Sequence, residues 1–413
     1  NLRKNPIIFH YYTEIIRFWS KLNFILQKTS RSLNNFSVSN KDTALYLFLI
    51  YRSFFEGASN NEIISELNLS KNKIRTYIQF LDQLKTFSWE IALAGKSNRE
   101  RISIKEAIPN FFIDRLLPVM DLQFLKENIQ YLNYSNLSHN FFRFNELKRV
   151  HLINHSFNEI KKSLEEEGVS LKRDQEFSDL FMIQDSQKSK LLTNKWYQSG
   201  YLILQDKASV TVVHVLNPQP DELILDICAA PGNKTSLIAQ KSKNKAKIIA
   251  NDFNKDRISF AKKLLLKMNA SCSSLTCSDG ITPPYRDGIK FDKVLLDAPC
   301  TGSGAFLTSP ELKWRQNRSF LYQNMTLQEK LFQSSIHLLK PEGTLVYSTC
   351  SLYPEEGELQ VLKFLNELEP LDLPNWVSPS YKIDDKQVPG SGRLFPSIHH
   401  SQGFFIGIFK KKE

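Results

Sequence analysis

A chain of 413 residues is too long for one ordinary hydrophobic core, so we expect it to fold as two or three domains. Hydrophobic residues make up 41% and charged residues 23%, as in soluble globular proteins, and no apolar run approaches the roughly 20 residues of a membrane-spanning helix. Lys and Arg outnumber Asp and Glu by 54 to 43, and the net charge of +11 is equally compatible with a nucleic-acid partner and a solvated basic surface.

The cysteines argue against a disulfide framework and against a zinc site. Their number is odd, and no Cys-x-x-Cys pair or histidine cluster accompanies them. This usage is typical of a reducing compartment, and the first residues lack the uninterrupted apolar stretch of a secretory signal. We therefore expect a cytoplasmic protein without a bound metal and without a membrane segment.

The first hundred residues have a helical pattern. Apolar residues dominate residues 40–55, and a second helical face is predicted for Ile74, Ile78, Leu81 and Leu84. The pattern predicts a helical domain over residues 1–103. Residues 60–81 also have the outline of a helix-turn-helix, which is common by chance and gives DNA binding little support.

Residues 104–194 alternate helix-like and strand-like segments, which predicts a small α/β module. Phe157 to Glu167 has the pattern of an amphipathic helix that Gly168 ends. The polar, lysine-rich stretch at residues 184–195 predicts a linker or an exposed loop.

The pattern changes after Tyr197, where five short apolar runs alternate with helical segments. The runs are ELILDICAAPG, AKIIANDF, SSLTCSDG, FDKVLLDAPC and GTLVYSTC, and helices are predicted at residues 255–269 and 323–339. Such an alternation is typical of a parallel α/β sheet that is buried on both faces. Ligands of these sheets bind beyond the carboxyl ends of the strands, where the small, acidic and cysteine residues of this chain collect.

Three strand ends have residues that suit an adenosine-containing ligand. The first strand runs into CAAPGNKT, where Gly232 permits a tight turn before the amino terminus of a helix. The second ends at Asp252, a potential acceptor for ribose hydroxyls, and the third leads to Asp279, a potential acceptor for an adenine amino group. Each aspartate alone is more often a turn or cap residue. Together the three ends favour an adenosine-containing cofactor.

Two cysteines, Cys300 and Cys350, follow strands at the same predicted edge. Free cysteines are mostly small buried hydrophobic residues, and Cys272 and Cys277, which have no motif around them, are expected to be of this kind. The positions of Cys300 and Cys350 allow both to face one cleft. The residues alone leave open whether either cysteine is a nucleophile.

The motifs CAAPGNKT, NDFNKDR, SDG, DAPCTGSG and STCSLYPEEGE resemble, in this order, those of the RNA cytosine-5 methyltransferase family, the Sun/RsmB group. The resemblance includes residues 200–209 and 393–411. It is fainter at residues 109–117, 141–148 and 163–168, which are similar to a small α/β module of the family. The helical first hundred residues occupy the position of a NusB-like RNA-binding domain in the bacterial ribosomal RNA enzymes.

The resemblance implies a fold class and a domain order. We expect an α/β protein with a Rossmann-like class I methyltransferase domain at residues 195–413, preceded by the α/β module at residues 104–194 and an all-helical domain at residues 1–103. It also implies S-adenosylmethionine as methyl donor and a cytosine in RNA as acceptor. Ribosomal RNA is favoured over transfer RNA because the resembling enzymes with such an amino-terminal domain act on ribosomal RNA. A monomer is expected.

The resemblance also implies a division of labour at the catalytic centre. Cys350 would be the nucleophile that adds to carbon 6 of cytosine, and Cys300 would assist the breakdown of this covalent adduct. Asp297 would contact the methionine end of the cofactor, the cytosine edge, or both.

The remaining motif residues would bind the cofactor. Asp252 would hold the ribose with Arg257 beside it, and Asp279 would face the adenine. The cofactor loop would be formed by Cys228, Ala229, Ala230, Pro231, Gly232, Asn233 and Lys234.

Two positions depart from the family pattern, and two other functions compete with it. The loop usually reads PGGKT, and we expect Asn233 to preserve the turn because asparagine tolerates a positive φ. Gln402 stands where an acidic residue is common. A DNA cytosine-5 methyltransferase would attack with Cys300, and the second cysteine in STCS argues against it. A catalytically silent RNA-binding protein of the same fold is disfavoured by the intact Cys350, Cys300 and Asp297.

Overall fold

The computed structural model describes residues 5–33, 39, 42–67, 71–137, 140–150, 157–286 and 288–413. The chain divides into two compact units, one formed by residues 1–115 with 308–315 and the other by residues 116–307 with 316–413. The three domains predicted with boundaries at residues 103 and 194 stay a prediction. No helix within the described ranges is long and apolar enough to cross a membrane.

The first unit is helical where it is described. Ser59 and Glu62 form a capping box at one of its helices, and Ser97 and Glu100 form another. Its helices are α1 (Pro6–Arg17), α2 (Trp19–Arg31), α3 (Thr43–Phe55), α4 (Asn60–Ser65), α5 (Lys71–Leu84), α6 (Trp89–Ala92), α7 (Asn98–Lys105) and α8 (Asn110–Leu116), the last of which ends one residue beyond the unit.

The buried face of α5 differs from the predicted one. Leu81 and Leu84 are buried, but Ile78 is exposed, and Tyr77 and Phe80 complete the buried face instead. Tyr46 of α3 packs on the rings of Tyr77 and Phe80. The larger aromatic side chains therefore occupy the buried face of α5 in place of Ile78. Of the predicted helix-turn-helix, α4 and α5 are present, and residues 68–70 between them lie outside the described residues.

The second unit begins with a small antiparallel sheet and its helices. The elements are α9 (Leu122–Asn133), β1 (Asn140–Phe144), α10 (Phe157–Glu166), β2 (Lys172–Arg173), β3 (Leu180–Ile183), α11 (Lys188–Thr193), α12 (Lys195–Gln198) and β4 (Leu202–Leu204). The strands lie in the order β2-β3-β1-β4, and every pair is antiparallel. The predicted helix at residues 157–167 is confirmed.

The predicted linker at residues 184–195 is wrong, because most of this stretch is helical. Leu191 anchors α11 in the module core, and the Asn194 side chain caps α12 by accepting from the Trp196 amide at 2.8 Å. The buried leucine and the helix cap outweigh the polar composition on which the prediction rested.

The rest of the second unit consists of a large mixed sheet, helices and a small separate hairpin. Its elements are α13 (Lys207–Leu216), β5 (Leu223–Asp226), α14 (Asn233–Lys241), β6 (Lys247–Asn251), α15 (Lys255–Lys267), β7 (Ser273–Thr276), β8 (Phe291–Asp297), α16 (Arg318–Leu338), β9 (Leu339–Thr349), α17 (Glu358–Val361), β10 (Leu368–Pro370), β11 (Ser378–Pro379), β12 (Lys382–Ile383), β13 (Lys386–Gln387), β14 (Ser391–Leu394), α18 (Pro396–His399) and β15 (Phe404–Lys411). The strand order is β11-β14-β15-β9-β8-β5-β6-β7, β10 pairs with β15, and β12 and β13 form a separate hairpin.

The five predicted strands are β5 to β9, and all pairs among them are parallel, as predicted. Strand β15 pairs antiparallel with β9, and β14 and β11 continue the sheet beyond it; the sequence pattern did not predict these antiparallel strands. Successive strand residues pack on opposite faces: Ile224 and Leu295 belong to the core under α13 and α14, whereas Leu225 and Val294 belong to the core under α16. This burial on both faces confirms the predicted Rossmann-like α/β fold class, with a helical region and an α/β module before it.

Candidate active site

The cofactor loop lies between the end of β5 and the start of α14. Gly232 has a left-handed backbone with φ of 104°, and a Cβ added there would touch Leu265 and Ala261 of α15 at 3.4 and 3.6 Å. The turn is preserved at Asn233 as expected, but not through a positive φ of this residue. Asn233 is the first residue of α14, and the preceding glycine supplies the left-handed turn. The Asn233 departure therefore requires no unusual backbone.

The loop is tied to the ends of two neighbouring strands. The Ala229 amide donates to the Asn251 carbonyl at 2.7 Å, and the Ala230 amide donates to Asp252 Oδ2 at 3.2 Å. Arg257 Nη1 lies 3.2 Å from Asp252 Oδ2, and its Nη2 donates to the Ala230 carbonyl. The predicted residues Ala230, Asp252 and Arg257 are thus in direct contact.

Asp279 is brought to the same edge through a neighbour. The Asn251 side-chain amide donates to the carbonyls of Ile227 at 3.3 Å and Ser278 at 3.0 Å, and so joins the ends of β5, β6 and β7. Asp279 is exposed, and its carboxylate accepts from the Ile281 amide at 2.9 Å. This aspartate therefore forms a local turn and also lies beside the other strand ends.

The two cysteines that follow β8 and β9 lie side by side. Cys300 Sγ and Cys350 Sγ are 3.2 Å apart, and both side chains are partly buried. Of the two cysteines expected to be small buried residues, Cys272 and Cys277, one is as predicted and the other is not. Cys272 packs against the core as predicted, but Cys277 is exposed, because it follows β7, the last strand in the order of the sheet.

Lys234 and Asp297 form an ion pair next to this cysteine pair. Lys234 Nζ lies 2.6 Å from Asp297 Oδ2 and donates to Ser209 Oγ at 3.2 Å. The Ser348 hydroxyl donates to Asp297 Oδ1 at 2.8 Å across the β8–β9 pair. Lys234, expected as a residue of the cofactor loop, thus reaches from the start of α14 to the end of β8.

Electrostatics separates the two sulfurs. Burial alone would lower the pKa of Lys234, but the charge and hydrogen bond of Asp297, together with the nearby Cys350, raise it, so the side chain stays an ammonium ion. The hydrogen bond with Cys350, burial, and the charges of Cys350 and Glu356 raise the pKa of Cys300 well above its usual value. Cys300 is therefore held as a thiol next to Cys350.

Glycine contacts fix the loop that carries Cys300. The Gly304 amide donates to the Cys350 carbonyl at 3.0 Å, and the Gly403 amide donates to the Gly304 carbonyl at 2.9 Å. A Cβ on Gly304 would lie 2.0 Å from the Gly403 carbonyl oxygen, so only glycine allows this approach. Gln402 meets the site through its backbone, since its amide donates to both carboxylate oxygens of Asp206 at 3.2 Å.

Asp226, at the end of β5, is a site residue that the sequence reasoning missed. Its buried carboxylate accepts from the Thr235 hydroxyl at 2.7 Å through one oxygen, and the other oxygen has no partner among the described residues. Burial, opposed by the Thr235 hydrogen bond, raises the pKa of Asp226 to about 7. An acidic residue that ends the first apolar strand was the available signal.

Arg143, in the FFRFN stretch of β1, is a second missed residue. Its buried guanidinium donates to Gln205 at 2.7 Å, to Ser236 at 2.6 Å and to Gln240, and the last two residues lie on α14. Burial lowers the pKa of Arg143 to about 9. The α/β module thus braces the helix that follows the cofactor loop.

No group of three or more His, Cys, Asp or Glu side chains suited to a metal ion occurs in the part of the chain that is described. The cluster formed by Cys300, Cys350, Lys234 and Asp297 has thiol, ammonium and carboxylate groups next to a tight glycine turn. These groups suit nucleophilic and proton-transfer chemistry at the carboxyl edge of the sheet.

Comparison with known proteins gives consistent matches. Residues 213–410 match the model of a family described as 16S rRNA methyltransferase RsmB/F. The ribosomal RNA small subunit methyltransferase B of Proteus mirabilis is 31% identical over 267 residues, which cover 64% of this chain and 58% of that protein. The 28S rRNA (cytosine-C(5))-methyltransferase of Mus musculus is 37% identical over 227 residues, which cover 52% of this chain and 28% of that protein.

A solved structure matches over a longer range. The crystal structure of PH0851 superposes with a TM-score of 0.78 at 27% identity, covering 98% of this chain and 90% of that one. The chain spans less than two thirds of the length of either curated relative, at 58% and 28%.

Proposed function

Since residues 213–410 belong to the RsmB/F methyltransferase family, we propose that this chain is an S-adenosylmethionine-dependent enzyme that methylates carbon 5 of a cytosine in ribosomal RNA. The observation that carries the proposal is the pair of sulfurs 3.2 Å apart, next to the Lys234–Asp297 ion pair and beyond the carboxyl ends of the strands. Both named relatives act on ribosomal RNA, and the mouse relative is named for the cytosine-C(5) reaction.

The proposed reaction uses Cys350 as nucleophile. Carbon 5 of cytosine is a poor nucleophile until a thiolate adds to carbon 6 of the ring. Cys350 forms this bond as a thiolate, with the Cys300 sulfur 3.2 Å away and the Lys234 ammonium nearby. S-adenosylmethionine, when bound, supplies the electrophilic methyl group.

Cys300 acts in the release step. The proton on carbon 5 has to leave before the bond between carbon 6 and Cys350 breaks and returns the Cys350 thiolate. The hydrogen bond with Cys350, burial and the charge of Cys350 raise the pKa of Cys300, and the contribution of that charge ends when Cys350 becomes bonded to the ring. Cys300 can then lose its proton to solvent and accept the proton from carbon 5.

The residues of the loop fit the cofactor. Asp226 has a buried carboxylate oxygen without a partner among the described residues, and such an acceptor suits the donor groups of S-adenosylmethionine. Asp252 would hold the ribose, with Arg257 beside it, and Asp279 would face the adenine. Asp297, which Lys234 neutralises, would lie between the methionine end and the cytosine edge.

The proposal is tested by sequencing bisulfite-treated ribosomal and transfer RNA from cells with and without the gene. We expect at least one 5-methylcytosine to disappear from ribosomal RNA when the gene is absent. Loss from transfer RNA alone would keep the reaction and replace the substrate. Retention of every 5-methylcytosine in both pools would contradict the proposed function.

A further inference from the structure

A single buried carboxylate connects the loops of the two cysteines. Glu356 lies six residues after Cys350, and its Oε1 accepts from the Thr301 amide at 2.9 Å. The Thr301 hydroxyl donates to Oε2 of the same carboxylate. Because Thr301 directly follows Cys300, both oxygens of Glu356 hold the backbone and side chain next to this cysteine.

The contact extends to both sides of Cys300. The Gln328 side-chain amide donates to Glu356 Oε1 at 3.0 Å and to the Pro299 carbonyl at 2.8 Å. Glu356 and Gln328 therefore fix the residues that precede and follow Cys300. The loop that carries Cys300 leaves the sheet after Asp297, the last residue of β8.

Glu356 is also fixed to the strand that leads to Cys350. Its backbone carbonyl accepts from the Tyr347 hydroxyl at 2.8 Å and from the Thr349 hydroxyl at 3.2 Å. Tyr347 and Thr349 belong to β9, which pairs with β8 on one side and β15 on the other. The Cys350 side of the connection is therefore anchored in the sheet. On the Cys300 side, the Glu356 carboxylate holds Thr301, in addition to the glycine contacts at Gly304.

Stability alone does not account for a carboxylate at this place. Glu356 and Gln328 are fully buried, and the hydrogen bonds that the carboxylate accepts from Thr301 and Gln328 come from neutral donors. Burial raises the pKa of Glu356 despite these hydrogen bonds. Among the described residues no ion pair includes Glu356, and a buried carboxyl group costs free energy to desolvate, so its presence here indicates a role in the site.

We infer that Glu356 is a positioning residue that sets the distance of Cys300 from Cys350 and thereby controls the breakdown of the covalent adduct. The inference rests on the proposed function. Removal of the carboxylate loosens the residues on both sides of Cys300, where Thr301 and Gln328 lose their acceptor, and leaves Cys350 at the end of a paired strand. The release step is therefore slowed, and formation of the adduct is retained.

The test follows a single turnover with unmodified small-subunit ribosomal RNA transcribed in vitro and radiolabelled S-adenosylmethionine. Denaturing gels separate the covalent protein–RNA adduct from free methylated RNA. The variants are Glu356→Gln and, from the other side of the contact, Thr301→Val. The matched control is Glu329→Gln, an exposed carboxylate next to Gln328 in the chain that pairs with Lys363. We expect the first two to release methylated RNA roughly 10-fold more slowly or worse, since a displacement of about 1 Å has effects of this size or larger. The control should release it as the unchanged protein does.

A double substitution separates positioning from a general loss of structure. In a Cys300→Ala background, Glu356→Gln should slow release no further, because the residue through which it acts is absent. Equal slowing of adduct formation and release, or further slowing in the Cys300→Ala background, would overturn the inference. If Glu356→Gln does not fold, Thr301→Val decides between these outcomes by the same measurements.

The controls distinguish this inference from the function on which it rests. A wild-type protein that neither forms the adduct nor methylates the RNA would overturn the proposed function and the inference with it. A wild-type protein that turns over, together with variants that release RNA at the wild-type rate, would overturn the inference alone.

Discussion

Cys300 and Cys350 are chemically alike, and their surroundings make them different. Cys350 is near the Lys234 ammonium and contributes to its raised pKa, whereas the charge of Glu356 contributes to the raised pKa of Cys300. This asymmetry favours Cys350 as the nucleophile and Cys300 as the base of the release step.

Asp226 provides a pH-dependent test of the cofactor loop. Because burial raises the pKa of its carboxyl to about 7, above the value of about 4 in an unfolded chain, the folded state binds the proton more tightly. Its contribution to stability is therefore complete below about pH 4 and is lost as the pH rises through 7. Asp226→Asn removes this titration, so the variant should gain a few kcal/mol relative to wild type between pH 4 and pH 8.

Urea unfolding of the cofactor-free protein at several pH values measures this difference. Asn at the exposed Asp221 serves as control and should show no such trend. A difference between Asp226→Asn and wild type that is the same at pH 4 and pH 8 would contradict the buried, protonated carboxyl.

The parallel strands of the large sheet could be predicted from the sequence, but its antiparallel strands and the contacts between the loops could not. Apolar runs on both faces identify β5 to β9, and their parallel order places the motif residues at one edge. The alternation of side chains does not specify which loop residues pair. Lys234 meets Asp297 across 63 residues and Thr301 meets Glu356 across 55, and neither spacing has a local signal.

The brace between β1 and α14 has the same character. The resemblance of residues 141–148 to the family module assigns no role to Arg143. Its buried guanidinium contacts Ser236 and Gln240, which are 93 and 97 residues away in the chain. Such a contact depends on how the module packs on the sheet. Helix and strand patterns describe each element separately, so they do not contain this information.

Arg143→Met tests whether the module supports the cofactor loop. Methionine fills much of the space but leaves the acceptors of Gln205 and Gln240 without their donor, and each unsatisfied buried group costs about 1–3 kcal/mol. We expect urea unfolding to show a loss of about 2–5 kcal/mol, and calorimetry to show weaker binding of S-adenosylmethionine.

Arg173→Met is the matched control in the same sheet. Arg173 is exposed and stacks on Phe181 at 5.6 Å, so its loss should change stability by about 1 kcal/mol or less. Equal effects of the two substitutions on cofactor binding would contradict the proposed support of α14 by Arg143.

The division of the whole chain into units depends on contacts that no sequence pattern marks. Residues 308–315 belong to the helical unit, although the chain on both sides of them belongs to the other unit. Lys313 Nζ donates to the Arg17 carbonyl at 2.9 Å, and Trp314 Nε1 donates to the Ile16 carbonyl at 2.7 Å. These residues are 296 and 298 positions apart, so composition and periodicity could not connect them.

The net charge of +11 gives a prediction for the molecule as a whole. If basic residues bind RNA phosphates, binding releases counterions, and the affinity falls steeply with salt. For about six or more phosphate contacts, the Kd for ribosomal RNA should rise about 1,000-fold between 50 and 200 mM KCl in filter-binding measurements. A Kd that hardly changes over this range would indicate a solvated basic surface instead.

The separate roles of the two cysteines are tested most directly by the covalent adduct. Cys350→Ala and Cys300→Ala are each incubated with unmodified ribosomal RNA and S-adenosylmethionine, and the products are separated on denaturing gels. We predict that Cys300→Ala accumulates a protein–RNA adduct and that Cys350→Ala forms neither adduct nor 5-methylcytosine. An adduct that accumulates with Cys350→Ala and is absent with Cys300→Ala would reverse the roles and contradict the proposed mechanism.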